Sequence, residues 1–184
     1  MKAQQVMVLP GWQGNASLHW QRQWAKTYGY QIIEQHDWMR PLRGDWLARL
    51  DDVIADIDGA IYLLAHCIGC FQVASWAAIS KQTDKVKGAM LVAPADVEAK
   101  PLSEILSSWK PIALAPLPFK SLLISSENDP FCSTERAEIF AKSWGSDWIK
   151  LGSKGHLNAD SNLGAWSEGH AFLNELMKVK EHGH

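Results

Sequence analysis

The chain is predicted to fold as α/β: a three-layer sandwich in which about six parallel strands form one sheet with helices on both faces. Three observations predict it. Short apolar runs alternate with segments whose apolar residues recur at helical spacing almost throughout. Several of those runs are apolar at consecutive positions, as strands covered on both faces are. No linker, repeat or low-complexity tract interrupts the alternation.

The elements follow in order. Val6-Met7-Val8-Leu9 reads as a first buried strand ended by Pro10-Gly11. Ser17 is the expected N-cap of a helix carrying Leu18, Trp20, Trp24 and Ala25. Tyr30 to Ile33 forms a second strand, and residues 45 to 57 space Trp46, Leu47, Leu50, Val53, Ile54 and Ile57 as one helix face. Ile61 to Ala65 is a third strand, followed by a helix through Phe71, Val73, Ala74 and Trp76. Val86 to Ala93 and Leu122 to Ser125 are the fourth and fifth strands, with a helix from about Ser133 to Ser143. Trp148 to Leu151 is the sixth, and a last helix runs from about Ser167 to Val179. The irregular section at about 94 to 119 is too short for a large lid domain.

At 184 residues the chain suits one domain, taken as 1–180 with 181–184 as a tail, and its core needs no disulfide or metal. A hydrophobic fraction of 47% is ordinary, and a net charge of -2 offers nothing to nucleic acid. No apolar run approaches the roughly 18 residues of a membrane span. Met1-Lys2-Ala3-Gln4-Gln5 does not open a signal-peptide apolar run. Three cysteines form no even disulfide framework, so free thiols in a reducing, cytoplasmic setting are expected. Most of the ten tryptophans are expected to pack the core.

The chemistry concentrates at Ile61-Tyr62-Leu63-Leu64-Ala65-His66-Cys67-Ile68-Gly69-Cys70. An apolar strand runs through a turn flanked by small residues straight into a helix. This is the outline of a G-x-S-x-G nucleophile elbow, with Ala65 at the first glycine and Cys67 at the serine. Such a turn exposes its apex side chain and aims the first helical N–H groups at the same point, where an oxyanion would develop. Working residues of an open parallel sheet sit at the carboxyl ends of strands. Cys67, Asp129 and His156 follow the third, fifth and sixth strands in the order nucleophile, acid, histidine. Histidine would take the attacking group's proton and return it to the leaving group, with the carboxylate fixing its tautomer. The Ile68 N–H is the expected first oxyanion donor. The loop Gly11-Trp12-Gln13-Gly14 is expected to supply the second, assigned to Trp12.

Pro10-Gly11-Trp12-Gln13-Gly14, His19-Trp20, Asp37-Trp38, the elbow, Val92-Ala93-Pro94, Asn128-Asp129-Pro130-Phe131-Cys132 and Gly155-His156-Leu157-Asn158 resemble the YdeN-like small α/β-hydrolases, relatives of retinoblastoma-binding protein 9. The resemblance covers essentially the whole chain; its motifs are specific together and weak singly. It implies a compact hydrolase fold lacking the usual first antiparallel strands, and a Ser-His-Asp triad. By position the serine corresponds to Cys67, the aspartate to Asp129 in preference to Glu127, and the histidine to His156.

Cysteine in the elbow departs from that family. It stands either as a natural thiol nucleophile, as in dienelactone-hydrolase-type enzymes, as a laboratory serine replacement, or as the mark of a weakened lineage. The expected activity is that of a carboxylesterase-like hydrolase. It would cleave a small-molecule ester or thioester through an acyl-enzyme, needing no cofactor or metal and no nucleic-acid or membrane partner. Two readings compete: a non-catalytic binding protein of the same fold, and a thiol redox protein using Cys67-x-x-Cys70. Gln13, His66, Trp38 and Trp109 are the expected pocket walls. His19 is expected to support the oxyanion loop, and the Pro-rich run Pro111 to Pro118 to roof the site.

Overall fold

The computed structural model describes residues 5–178. The readings at Met1 to Gln4, at Val179 and of the 181–184 tail lie outside the described residues. Six strands form one sheet: β1 (Gln5–Leu9), β2 (Gln31–Ile32), β3 (Ile61–His66), β4 (Val86–Val92), β5 (Lys120–Ser126) and β6 (Asp147–Leu151). Their order is β2-β1-β3-β4-β5-β6 and every neighbouring pair is parallel. The chain runs outward from β1 to β2 and then crosses to β3, so the direction of winding reverses between β1 and β3. A crevice opens at the carboxyl ends of strands where that reversal occurs.

Side chains alternate between two cores. Met7, Leu9, Leu63, Ala65, Leu91 and Leu123 meet α2 (Arg43–Ala55), α3 (Gly69–Ile79) and α5 (Thr134–Trp144). Val6, Val8, Leu64, Met90, Val92 and Ile124 meet α1 (Trp20–Tyr28) and α6 (Ser167–Lys178). Burial on both faces is why these strands carry runs of consecutive apolar residues. Trp20, Trp24, Trp76, Trp109 and Trp144 are fully buried, and each indole N–H has an acceptor: Leu157 O, Ala165 O, Asp51 Oδ1, Pro41 O and Ala113 O respectively.

Several boundaries differ from expectation. α1 begins at Trp20, not after Ser17, because His19 is extended and its Nδ1 accepts the Gln21 N–H, doing the work of a capping hydroxyl. β2 shrinks to two residues at the sheet edge. Ser133 caps α5 through the Arg136 N–H, and Gly145, at φ 69, ends it. The section after β4 contains a short helix, α4 (Leu102–Ile105), and a 3-10 turn at Ser107–Trp109. Among the described residues no helix is long and apolar enough to cross a membrane.

Candidate active site

β3 delivers the chain to Cys67, which adopts φ 60, a left-handed conformation that costs a non-glycine residue about 1–3 kcal/mol. The turn is held on both sides. The Cys67 N–H donates to Val92 O at the end of β4, and the Cys70 N–H closes the first turn on Cys67 O. Glycines make the fit possible. A Cβ on Gly69 would lie 2.5 Å from Leu9 O, and one on Gly11 would lie 2.5 Å from the Cys67 Cβ. The end of β1 thus lies directly against the elbow, which is half-buried at Cys67.

His156 follows β6 and Asp129 follows β5. The His156 Nδ1–H donates to both carboxylate oxygens of Asp129, at 2.9 and 3.0 Å, and the two side chains are only 7% and 2% exposed. That leaves Nε2 as the ring nitrogen available on the cavity that Cys67 also lines. Burial lowers the His156 pKa, but the Cys67 charge, the Asp129 hydrogen bond and the Cys67 hydrogen bond outweigh it and push it up to about 10. The structure thus joins His156 to Asp129 by hydrogen bonds and places Cys67 on the same cavity as His156. Glu127, the competing acid, is exposed and remote from this chain of bonds.

The loops carrying the acid and the histidine are tied together. Asn128 Oδ1 accepts the Gly155 N–H at 2.7 Å and Ser126 Oγ accepts the Lys154 N–H at 2.9 Å. Beyond them, buried His66 Nε2–H donates to His156 O (2.9 Å) and Trp20 Nε1–H donates to Leu157 O (2.7 Å), while Leu157 takes φ 51. His66 packs against His19 with centroids 4.6 Å apart. Burial holds His66 well below the ordinary imidazole pKa and takes His19 down to about 3, so both are neutral.

Trp12 opens a 3-10 turn, Trp12–Gly14, in which Gln13 has φ 68. The Gln13 N–H is engaged by Trp38 O at 3.1 Å. The Trp12 and Ile68 N–H groups donate to no turn, loop or cap carbonyl among the described residues. Cys67 and His156 face a cavity of about 570 Å³ that Trp12, Gln13 and His66 also line.

Two expected walls are corrected. Trp109 is 1% exposed, bonded to Pro41 O and packed edge-on against Trp46; it belongs to the core. Trp38 packs on the Trp12–Gly14 turn, so close that a Cβ on Gly14 would meet its ring at 2.9 Å, and it does not line the cavity. Nor does the Pro-rich run roof the site. It packs on α5, with the Trp144 indole N–H on Ala113 O and the Leu117 N–H on Trp144 O. The wall instead comes from Ala95, Leu102 and Leu106 upstream, and from Phe131, Asn158 and Asp160. The i, i+4 spacing of Leu102 and Leu106 was the available signal. Cys70 is fully buried with its thiol on Val92 O, and burial raises its pKa well above the ordinary range, so it offers Cys67 no accessible redox partner.

The chain matches the family model described as "Serine hydrolase" over residues 6–175. It is similar to a YdeN-like hydrolase from Pectobacterium atrosepticum, with 27% identity over 96% of this chain and 92% of that one, at a TM-score of 0.83. The ydeN gene product of B. subtilis shares its fold at 18% identity, covering 95% and 99% of the two chains, with a TM-score of 0.75. So does Est1E from Butyrivibrio proteoclasticus, solved with ferulic acid bound, at 14% identity, 96% and 90% coverage and a TM-score of 0.70. No curated protein sequence matches the chain.

Proposed function

Because this chain belongs to the serine hydrolase family, we propose that it cleaves a small ester or thioester, an esterase-like activity, through an acyl group carried on Cys67. The observation that carries this reading is the strained Cys67 on one cavity with His156, whose ring is hydrogen-bonded to the buried Asp129.

In this reading His156 takes the Cys67 proton and, with its pKa raised to about 10, holds it while the sulfur attacks. The Cys67 sulfur attacks the carbonyl carbon, forming a C–S bond while the carbonyl π pair moves onto oxygen. The Trp12 and Ile68 N–H groups receive that oxyanion; one such donor is worth on the order of 100- to 1,000-fold in rate. The tetrahedral adduct collapses, the bond to the leaving group breaks, and His156 Nε2 delivers its proton there. Water then gives a proton to His156 and attacks the acyl carbon, releasing the acid and Cys67. Asp129 keeps Nδ1–H fixed and stabilises the imidazolium throughout. Each step is served by the chain's own groups.

Alkylation of Cys67 by iodoacetamide tests the reading. Fast, pH-dependent labelling that His156→Ala slows, with turnover of short p-nitrophenyl esters, is expected. Labelling no faster than that of a free thiol, without turnover, would identify a binding protein of hydrolase fold.

A further inference from the structure

The cavity around Cys67 has two chemically different sides, and the topology separates them. β3 lies between β1 and β4, so Cys67 at its end divides the loop after β1 from the segment after β4. The β4 side presents Ala95, Leu102 and Leu106. The loop after β6 turns back over α1, where the Trp20, Gln23 and Trp24 side chains donate to Leu157 O, Gly164 O and Ala165 O. It thereby carries Asn158 and Asp160 to the side of Asn15, from the loop after β1. The first wall is hydrocarbon; the second bears the amides of Gln13, Asn15 and Asn158 and the Asp160 carboxylate, beside Trp12, Ala16 and Ala159.

The direction of proton delivery assigns these sides. The leaving group must meet His156 Nε2, and the chain that bears His156 continues into Asn158 and Asp160. The acyl group is left with the wall of Ala95, Leu102 and Leu106, which packs into the core on one face of the sheet, whereas Leu157, next to His156, packs into the core on the other. No lysine or arginine lines the cavity. Asp160 is exposed and has no ion pair among the described residues.

Building on the acyl-transfer reading above, we infer that the substrate joins a short apolar acyl group, seated against Ala95, Leu102 and Leu106, to a polar leaving group that is favoured when cationic and disfavoured when anionic.

Three acetyl thioesters with aliphatic leaving groups test this: acetylthiocholine, S-acetylthioglycerol and S-acetyl-3-mercaptopropionate, compared at low ionic strength. Thiol release gives kcat/KM and intact mass reports acylation of Cys67. The expected order is cation, neutral, anion. Asp160→Asn should compress the cation-to-anion ratio by about two- to fivefold, the scale of an exposed charge pair. On the other side, Leu106→Trp should lower use of a butyryl relative to an acetyl thioester by about tenfold. A wild-type ratio at or below one, or a ratio that Asp160→Asn leaves unchanged, overturns the leaving-group assignment, while acyl-Cys67 in the same spectra keeps the chemistry standing. A butyryl-to-acetyl ratio untouched by Leu106→Trp overturns the acyl assignment. No acylation of Cys67 by any of these esters overturns both the chemistry and the inference built on it.

Discussion

Gly11 and Cys67 occupy a space that admits no further carbon: a Cβ at Gly11 would lie 2.5 Å from the Cys67 Cβ and 3.1 Å from its Sγ. Cys67 and the loop that begins at Gly11 are therefore positioned by mutual contact, one at the end of β3 and the other just past β1. Gly11→Ala must push one of them away. Since a shift of about 1 Å can cost on the order of a hundredfold, kcat/KM should fall by that amount. Gly44→Ala, at a helical site with open space around it, should retain full activity and gain about 0.4–1 kcal/mol of stability. Steady-state kinetics and urea unfolding of the two variants check the contrast; an active Gly11→Ala enzyme would refute the contact.

The His156 proton should depend on Cys67. In Cys67→Ala the thiol's charge and hydrogen bond disappear while burial, which lowers the pKa, remains. The imidazole should then titrate well below about 10, as imidazole NMR shifts will show. The linkage has a definite sign. A pKa raised in the folded state adds stability that is fully present below the unfolded value of 6.5 and is lost as pH rises through about 10. Wild-type stability should decline across that window, and the decline should move to lower pH in Cys67→Ala. Identical titrations in both proteins would contradict the ion pair.

Asp129→Asn keeps the shape of the acid and removes its charge. The amide can present its NH₂ to Nδ1 and favour the wrong tautomer. Alkylation of Cys67 should slow on the order of tenfold to a hundredfold, less than the roughly 10⁴-fold seen when a serine depends on the same relay. A rate equal to wild type would show that Asp129 has no part in activating the thiol.

Trp20→Phe removes the donor that holds Leu157 O at 2.7 Å and leaves a buried carbonyl unpaired. The expected cost is about 1–3 kcal/mol in urea unfolding. Turnover should fall as well, since the same loop bears His156; a neutral result on both counts would show that the loop needs no such anchor.

Much of this site was legible because its parts are local. The elbow at Ala65 to Gly69 announces itself by small residues at a strand-to-helix turn, and strands buried on both faces advertise their apolar runs. What lay hidden depends on distant packing. Nothing near Asn158 or Asp160 indicates that their loop returns to α1, because Trp20 and Leu157, 137 residues apart, make that contact. Trp38 and Trp109 could not be sorted from pocket walls by residue type, since a large ring suits either place; the Gly14 contact and the Pro41 carbonyl decide it. His19 caps a helix with a ring nitrogen, a role for which Ser17 was the stronger local signal.

Rapid mixing with p-nitrophenyl butyrate tests the central claim most directly. A burst of one p-nitrophenol per chain is predicted, followed by acid quench and peptide mass mapping that finds the butyryl group on Cys67. Absence of a burst, or a butyryl group found on Cys70 or Cys132 instead, would contradict the account.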